Sequence, residues 1–136
     1  MDIFKKQMKI VKNSSYTFSN PKNFEENFSS PKTNKEILIT IDDAFLSFYL
    51  EAWPYLKTNK IPFILFVSTY PIGKKGYMTW KQIKEVEAEE FAVIGHHSHS
   101  HGYLIDKDNN FFSRGSNFLY SSGNEFIIEL NLFSSP

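Results

Sequence analysis

Two short polar clusters hold the side chains able to do chemistry, Thr40-Ile41-Asp42-Asp43 and His97-Ser98-His99-Ser100-His101, and each follows directly on an apolar run that reads as a buried strand. Carboxylates and imidazoles gathered at strand ends are the donors of a divalent-metal site with a base beside it. His97 and His101 are four residues apart, so one helical turn or a tight loop brings both rings to one ion. A carboxylate from a neighbouring strand end completes a two-His, one-Asp set with positions open for water and substrate. Asp42 and Asp43 can divide ligation and proton transfer, because consecutive residues in extended backbone point in different directions. A second register competes, in which His97, His99 and His101 alternate along an extended strand. Each cluster taken singly also has a plainer reading. The aspartates suit a turn and a cap for the helix that follows, and a surface histidine run binds metal adventitiously. Their shared position after successive parallel strands favours the site.

The elements that must position these groups follow from apolar spacing. Ile3, Phe4, Met8 and Val11 share one helical face, Asn20-Pro21 marks a turn, and Phe24 with Phe28 begins a second short helical stripe. The polar stretch from Ser29 to Lys35 is a surface loop leading to Ile37-Leu38-Ile39-Thr40-Ile41, whose near-continuous apolar character predicts a strand covered on both faces. From Phe45 the period becomes helical through Phe48, Tyr49, Ala52, Trp53 and Leu56, with Pro54 kinking or restarting the helix. Phe63 to Val67 is the next strand. Thr79-Trp80-Lys81-Gln82 has the form of a capping box and predicts a helix to about Glu90. Phe91 to Gly95 gives a third strand. Right-handed crossovers then make the three strands parallel, and Asp42, Asp43, Ser68 and the histidines emerge on one rim, where α/β folds put their sites.

Other candidates are plainer. Gly73-Lys74-Lys75-Gly76 lacks phosphate-loop spacing and reads as a solvated loop. Trp53 and Trp80 read as core, while Tyr70, Tyr77 and Tyr103 lie in rim loops where they can pack against a sugar ring. Beyond Asp106 turn-forming clusters dominate, and the segment from Glu125 to Phe133 alone has enough apolar residues for another element. Three parallel strands with such a tail leave sheet edges exposed, as in part of a larger domain.

Composition narrows the function classes. Fifteen basic residues balance fifteen acidic ones, so no electrostatic footprint for nucleic acid or an anionic membrane is present. Cysteine is absent, which leaves His, Asp and Glu as metal ligands. One domain over residues 1–136 is expected, with neither a signal peptide nor a transmembrane segment in the sequence; the compartment is left open.

At this point the residues resemble the polysaccharide deacetylase family, the metal-dependent carbohydrate esterases that share the NodB homology domain. Thr40-Ile41-Asp42-Asp43-Ala44 is similar to the family's first motif, usually Thr-Phe-Asp-Asp-Gly. Gly95-His96-His97-Ser98-His99-Ser100-His101 is similar to its second, His-Ser/Thr-x-x-His, with Leu104 also fitting. The resemblance covers roughly Ile37 to Asp106. It implies a partial (β/α) barrel with the site at the carboxyl ends of parallel strands, Asp42 as general base, and Asp43, His97 and His101 as ligands of a divalent metal, usually Zn2+. His99 is then a spacer and His96 a flanking residue. The implied reaction is removal of N-acetyl groups from an N-acetylglucosamine-type glycan.

Two departures accompany it. Ala44 stands where the family has glycine, which alters the turn if that position needs positive φ. The later motifs, which supply an arginine that orients the base, a groove aromatic and a general-acid histidine, are not found; Arg114 is the only arginine and lacks their context. The expectation is a truncated deacetylase domain with a divergent tail at 107–136. The alternative is a non-catalytic metal- or carbohydrate-binding remnant.

Overall fold

The computed structural model describes residues 2–23 and 35–100, together with the backbone of three short strands further on. The chain opens on helix α1 (Asp2–Lys12), which buries Met8 and sets Phe4 edge-on to Tyr55 at 6.1 Å. Ile3, expected on the packing face, is instead exposed. A two-residue strand β1 (Thr17–Phe18) follows, then a 3-10 turn at Pro21–Asn23, where the turn was expected. Phe24 and Phe28 lie outside the described residues, as does most of the expected surface loop after them.

The apolar run from Ile37 is divided between two sheets. Strand β2 (Glu36–Ile37) pairs in parallel with β1, the chain breaks at Leu38, and β3 (Ile39–Asp42) joins a different sheet. Residue types alone do not mark that break, because Leu38 is as apolar as its neighbours. After a tight turn, Leu46 starts a helical stretch that widens to a π-helical segment at Phe48–Ala52 and continues as α2 (Trp53–Asn59). Pro54 lies in the first turn of α2, where its missing N–H matters least, so the helix restarts there as expected. Lys60 closes it in the left-handed conformation at φ 50°.

Strand β4 (Phe63–Val67), helix α3 (Trp80–Glu87) and strand β5 (Ala92–His96) complete the unit. The capping box forms: the Thr79 Oγ1 accepts from the Gln82 N–H, and the Thr79 N–H donates to Gln82 Oε1. The helix ends at Glu87, a turn short of the expected Glu90. The strand order is β3-β4-β5, all parallel, with Ile41 beside Leu65 and Leu65 beside Ile94.

This register separates two faces. Ile39, Ile41, Phe63, Leu65, Val67, Ala92 and Ile94 share the face that packs under the helices. Phe63 is its centre, with Phe48, Trp53 and Phe91 rings at 5.6, 6.0 and 6.5 Å. Thr40, Asp42, Ile64, Phe66, Val93 and Gly95 share the other face, which the described residues leave partly open. The expectation that both faces of β3 are covered is therefore corrected: Thr40 and Asp42 are exposed. Trp53 is core as expected, but Trp80 is 51% exposed, because it opens α3 on the side away from the sheet. Phe45, expected on the core face of the helix, is likewise exposed and lies against Tyr77 at 5.0 Å.

Between the helical layers, the Tyr49 hydroxyl donates to Glu85 Oε2 at 2.7 Å, a bond that raises the phenol's pKa above its ordinary value. Later strands β6 (Tyr103–Ile105), β7 (Phe111–Phe112) and β8 (Ile128–Leu130) form an antiparallel sheet in the order β7-β6-β8. The apolar segment expected from Glu125 to Phe133 thus contains a strand, and Phe111–Phe112 adds one that a turn-rich stretch had concealed. No helix among the described residues is long and apolar enough to cross a membrane.

Candidate metal and base site

Both chemical clusters sit at the carboxyl end of the three-stranded sheet, with β4 between them. Asp42 is the last residue of β3 and lies beside Phe66, which lies in turn beside Gly95. The sheet therefore delivers Asp42 to the open face. Its carboxylate is exposed and accepts no hydrogen bond or ion pair from the described residues.

The chain then reverses through two consecutive left-handed residues, Asp43 at φ 71° and Ala44 at φ 54°. Left-handed backbone costs an L-residue roughly 1–2 kcal/mol. Neither residue is glycine, so tertiary contacts must hold the turn. Ala44 is fully enclosed, its carbonyl accepts the Met78 N–H at 2.9 Å, and the Leu46 N–H donates to the Gly76 carbonyl at 2.8 Å. The condition raised by the Ala44 departure is met: this position does have positive φ.

The reversal turns Asp43 inward. Its Oδ1 lies 3.8 Å from His97 Nε2, and the same oxygen accepts from Ser68 Oγ at 3.2 Å. The Ser68 hydroxyl also points at the His97 carbonyl at 2.9 Å. An oxygen and an imidazole nitrogen at this separation fit a shared cation, since two bonds of about 2.1 Å span up to ~4.2 Å. The Phe66 ring stands 6.2 Å from the His97 ring.

The histidine segment leaves the sheet sharply. Strand β5 ends at His96, the His97 N–H still donates to the Val67 carbonyl, and Ser98 then adopts φ 66°. An extended register through His97 and His99 is thereby excluded, and the tight-loop reading holds for the described part. His101 lies outside the described residues. Asp43 and His97 are the described ligand candidates that meet, and no group of three metal-ligating side chains occurs among the described residues.

His99, expected to be a spacer, has a local function that spacing could not show. Its Nδ1 is 2.8 Å from Thr69 Oγ1 and its ring stands edge-on to Tyr70 at 5.6 Å. The Thr69 and Tyr70 amides donate to the carbonyls of Ser98 and His99. His96 flanks the site as expected, with its Nδ1 accepting the Ser98 N–H at 3.1 Å. Of the rim tyrosines, Tyr70 is exposed with Lys74 Nζ 3.0 Å from its ring centroid, Tyr77 is occupied by Phe45, and Tyr103 opens β6. The Gly73-to-Gly76 loop is exposed as expected, with both glycines at positive φ.

Several known proteins are similar to this chain in sequence and fold. Residues 29–117 match the family model described as polysaccharide deacetylase. The putative polysaccharide deacetylase YxkH of Bacillus subtilis (strain 168) is 28% identical over 95 residues, which is 68% of this chain and 34% of that protein. The structure of IcaB from Ammonifex degensii superposes with a TM-score of 0.71 and 31% identity, covering 81% of this chain and 49% of that one. The Streptococcus pyogenes deacetylase PplD, solved in complex with acetate, gives a TM-score of 0.61 and 28% identity, covering 71% of this chain and 44% of that one. The chain thus spans about a third of the curated relative and about half of these solved structures, which are (β/α) barrel-type domains.

Proposed function

Because this chain belongs to the polysaccharide deacetylase family, we propose that it carries the metal- and base-bearing part of a hydrolase that removes N-acetyl groups from an N-acetylglucosamine-type glycan. The observation that carries the reading is the meeting of Asp43 Oδ1 and His97 Nε2, with Asp42 on the adjoining open face. Asp43 and His97, joined by His101, are the proposed holders of a divalent cation, zinc by resemblance to the family. The cation supplies Lewis-acid polarisation of the amide carbonyl and of water. The Asp42 carboxylate takes the proton of the attacking water. Its exposure and its lack of a partner among the described residues leave its oxygens available for that transfer. Phe66 lies beside Asp42 in the sheet, with its ring 6.2 Å from that of His97.

A second reading is favoured by the histidine count. All four histidines fall between positions 96 and 101. With two assigned to metal and His99 engaged by Thr69, His96 is the remaining imidazole for general-acid work, and it flanks the site at the strand end. His96 Nδ1 is itself engaged by the Ser98 N–H, and a non-catalytic metal- or carbohydrate-binding form needs no such acid.

Elemental analysis of the purified chain, with acetate release from chitooligosaccharides on the same sample, separates the two. One zinc per chain with acetate released is the expected result. Zinc without acetate supports the binding form, and a folded chain without metal overturns the hydrolase reading and the metal-binding form.

A further inference from the structure

Ser68 is a polar side chain enclosed within the core, 1% exposed, directly after the apolar run of β4. Nothing in the packing of Phe63, Leu65 and Val67 calls for a hydroxyl there, and a buried hydroxyl destabilises unless it is bonded. Its acceptors are Asp43 Oδ1 at 3.2 Å and the His97 carbonyl at 2.9 Å, so one hydrogen is forked between the two segments that carry the candidate ligands. The bonded carboxylate oxygen is also the one facing His97 Nε2. A residue from the strand between two ligand-bearing loops therefore grips both.

We infer that Ser68 is a positioning residue for the metal site, aiming the Asp43 carboxylate and fixing the height of His97. The inference rests on the proposed metal-binding role of those two residues. Groups that orient ligands from behind typically change metal affinity by 10–100-fold when removed. Thr69 and Tyr70 hold the histidine loop farther out, whereas Ser68 bonds both the Asp43 carboxylate and the His97 carbonyl.

The test is zinc affinity of the 136-residue chain, measured by competition with a chromophoric chelator, alongside thermal unfolding of the metal-free protein. Ser68→Ala is expected to bind zinc about 10–100-fold more weakly, while Ser68→Thr, which keeps the hydroxyl, stays within about threefold of the unmodified chain. Val67→Ala, which trims the neighbouring buried side chain, is expected to lower the unfolding temperature and leave zinc affinity unchanged. Unchanged affinity in Ser68→Ala, or equal weakening in Ser68→Ala and Val67→Ala, overturns the positioning role alone. An unmodified folded chain that takes up no zinc overturns the metal reading and the role of Ser68 with it.

Discussion

The aspartate turn after β3 and the histidine loop after β5 both leave the sheet through left-handed, non-glycine residues, yet they are fastened differently. The aspartate turn is held mainly by main chain and apolar burial: Met78 and Gly76 bond its backbone, Ala44 is enclosed, and Phe45 lies on Tyr77, with Ser68 on the Asp43 carboxylate adding a side-chain bond. The histidine loop is also bonded through its backbone, but it adds side chains, with Thr69 on His99, His96 on the Ser98 amide and Ser68 on the His97 carbonyl. Both sets of fasteners come largely from the segment that follows β4. Backbone fastening tolerates many side chains, whereas side-chain fastening ties a loop to particular residues. The histidine loop should accordingly be the more sensitive of the two to conservative substitution.

The largest expected effects separate the chemistry of the two segments. Asp42→Asn should lower acetate release by about 10²–10⁴-fold, the usual contribution of a positioned base, while zinc content stays near one per chain. His97→Ala should lose zinc and turnover together. Equal loss of zinc in both variants, read by elemental analysis, would erase the proposed division of labour.

Gly95→Ala comes next. A Cβ at Gly95 falls 2.5 Å from Phe66 Cδ1, so the ring must shift, and overpacking of this kind destabilises by roughly 1–3 kcal/mol. Because that ring faces His97, the His97 ring resonances should move as well; urea unfolding with unchanged resonances would show that Phe66 relaxes elsewhere.

Thr69→Val removes the bond to His99 while preserving shape. A loss of about 1 kcal/mol in urea unfolding is expected, with no change in the dependence on urea concentration. No loss would place the histidine loop in the backbone-fastened class.

The smallest effect has the opposite sign. Ala44→Gly relieves left-handed strain of about 1–2 kcal/mol and adds about 0.5–1 kcal/mol of chain entropy to the unfolded state, for a net gain of ~0–1.5 kcal/mol before the loss of the enclosed methyl is counted. A lower unfolding midpoint would mean that the enclosed methyl matters more than the backbone conformation.

Much of the frame was legible in residue types. Phe63–Val67 has the length and apolar run of a central strand, Thr79 and Gln82 announce the start of α3, and Pro54 announces the restart of α2. Parallel order then placed Asp42, Asp43, Ser68 and His97 on one rim before any distance was known. What stayed hidden depends on contacts between distant residues. The break at Leu38 arises from pairing with Thr17–Phe18, a strand too short to show a period. Asp43, Ala44 and Ser98 turn left-handed without glycine because of neighbours supplied elsewhere. Trp80 is exposed because a helix's first turn can point its aromatic outward. The bond between Thr69 and His99 spans 30 residues, beyond any local pattern.

The central position of β4 bears on how the site comes into being. Asp43 hangs from β3 and His97 from β5, and the two strands pair with β4 rather than with each other. Neither βα half contains the ligand pair, so the pair cannot assemble until β4 has zipped to both neighbours. A cation that binds Asp43 and His97 together would draw free energy from completed three-strand pairing and from no earlier species. Backbone amides of Phe63 to Val67 should then be the most slowly exchanging in the sheet, and their protection should rise on addition of zinc, making solvent exchange at this strand a gauge of site assembly.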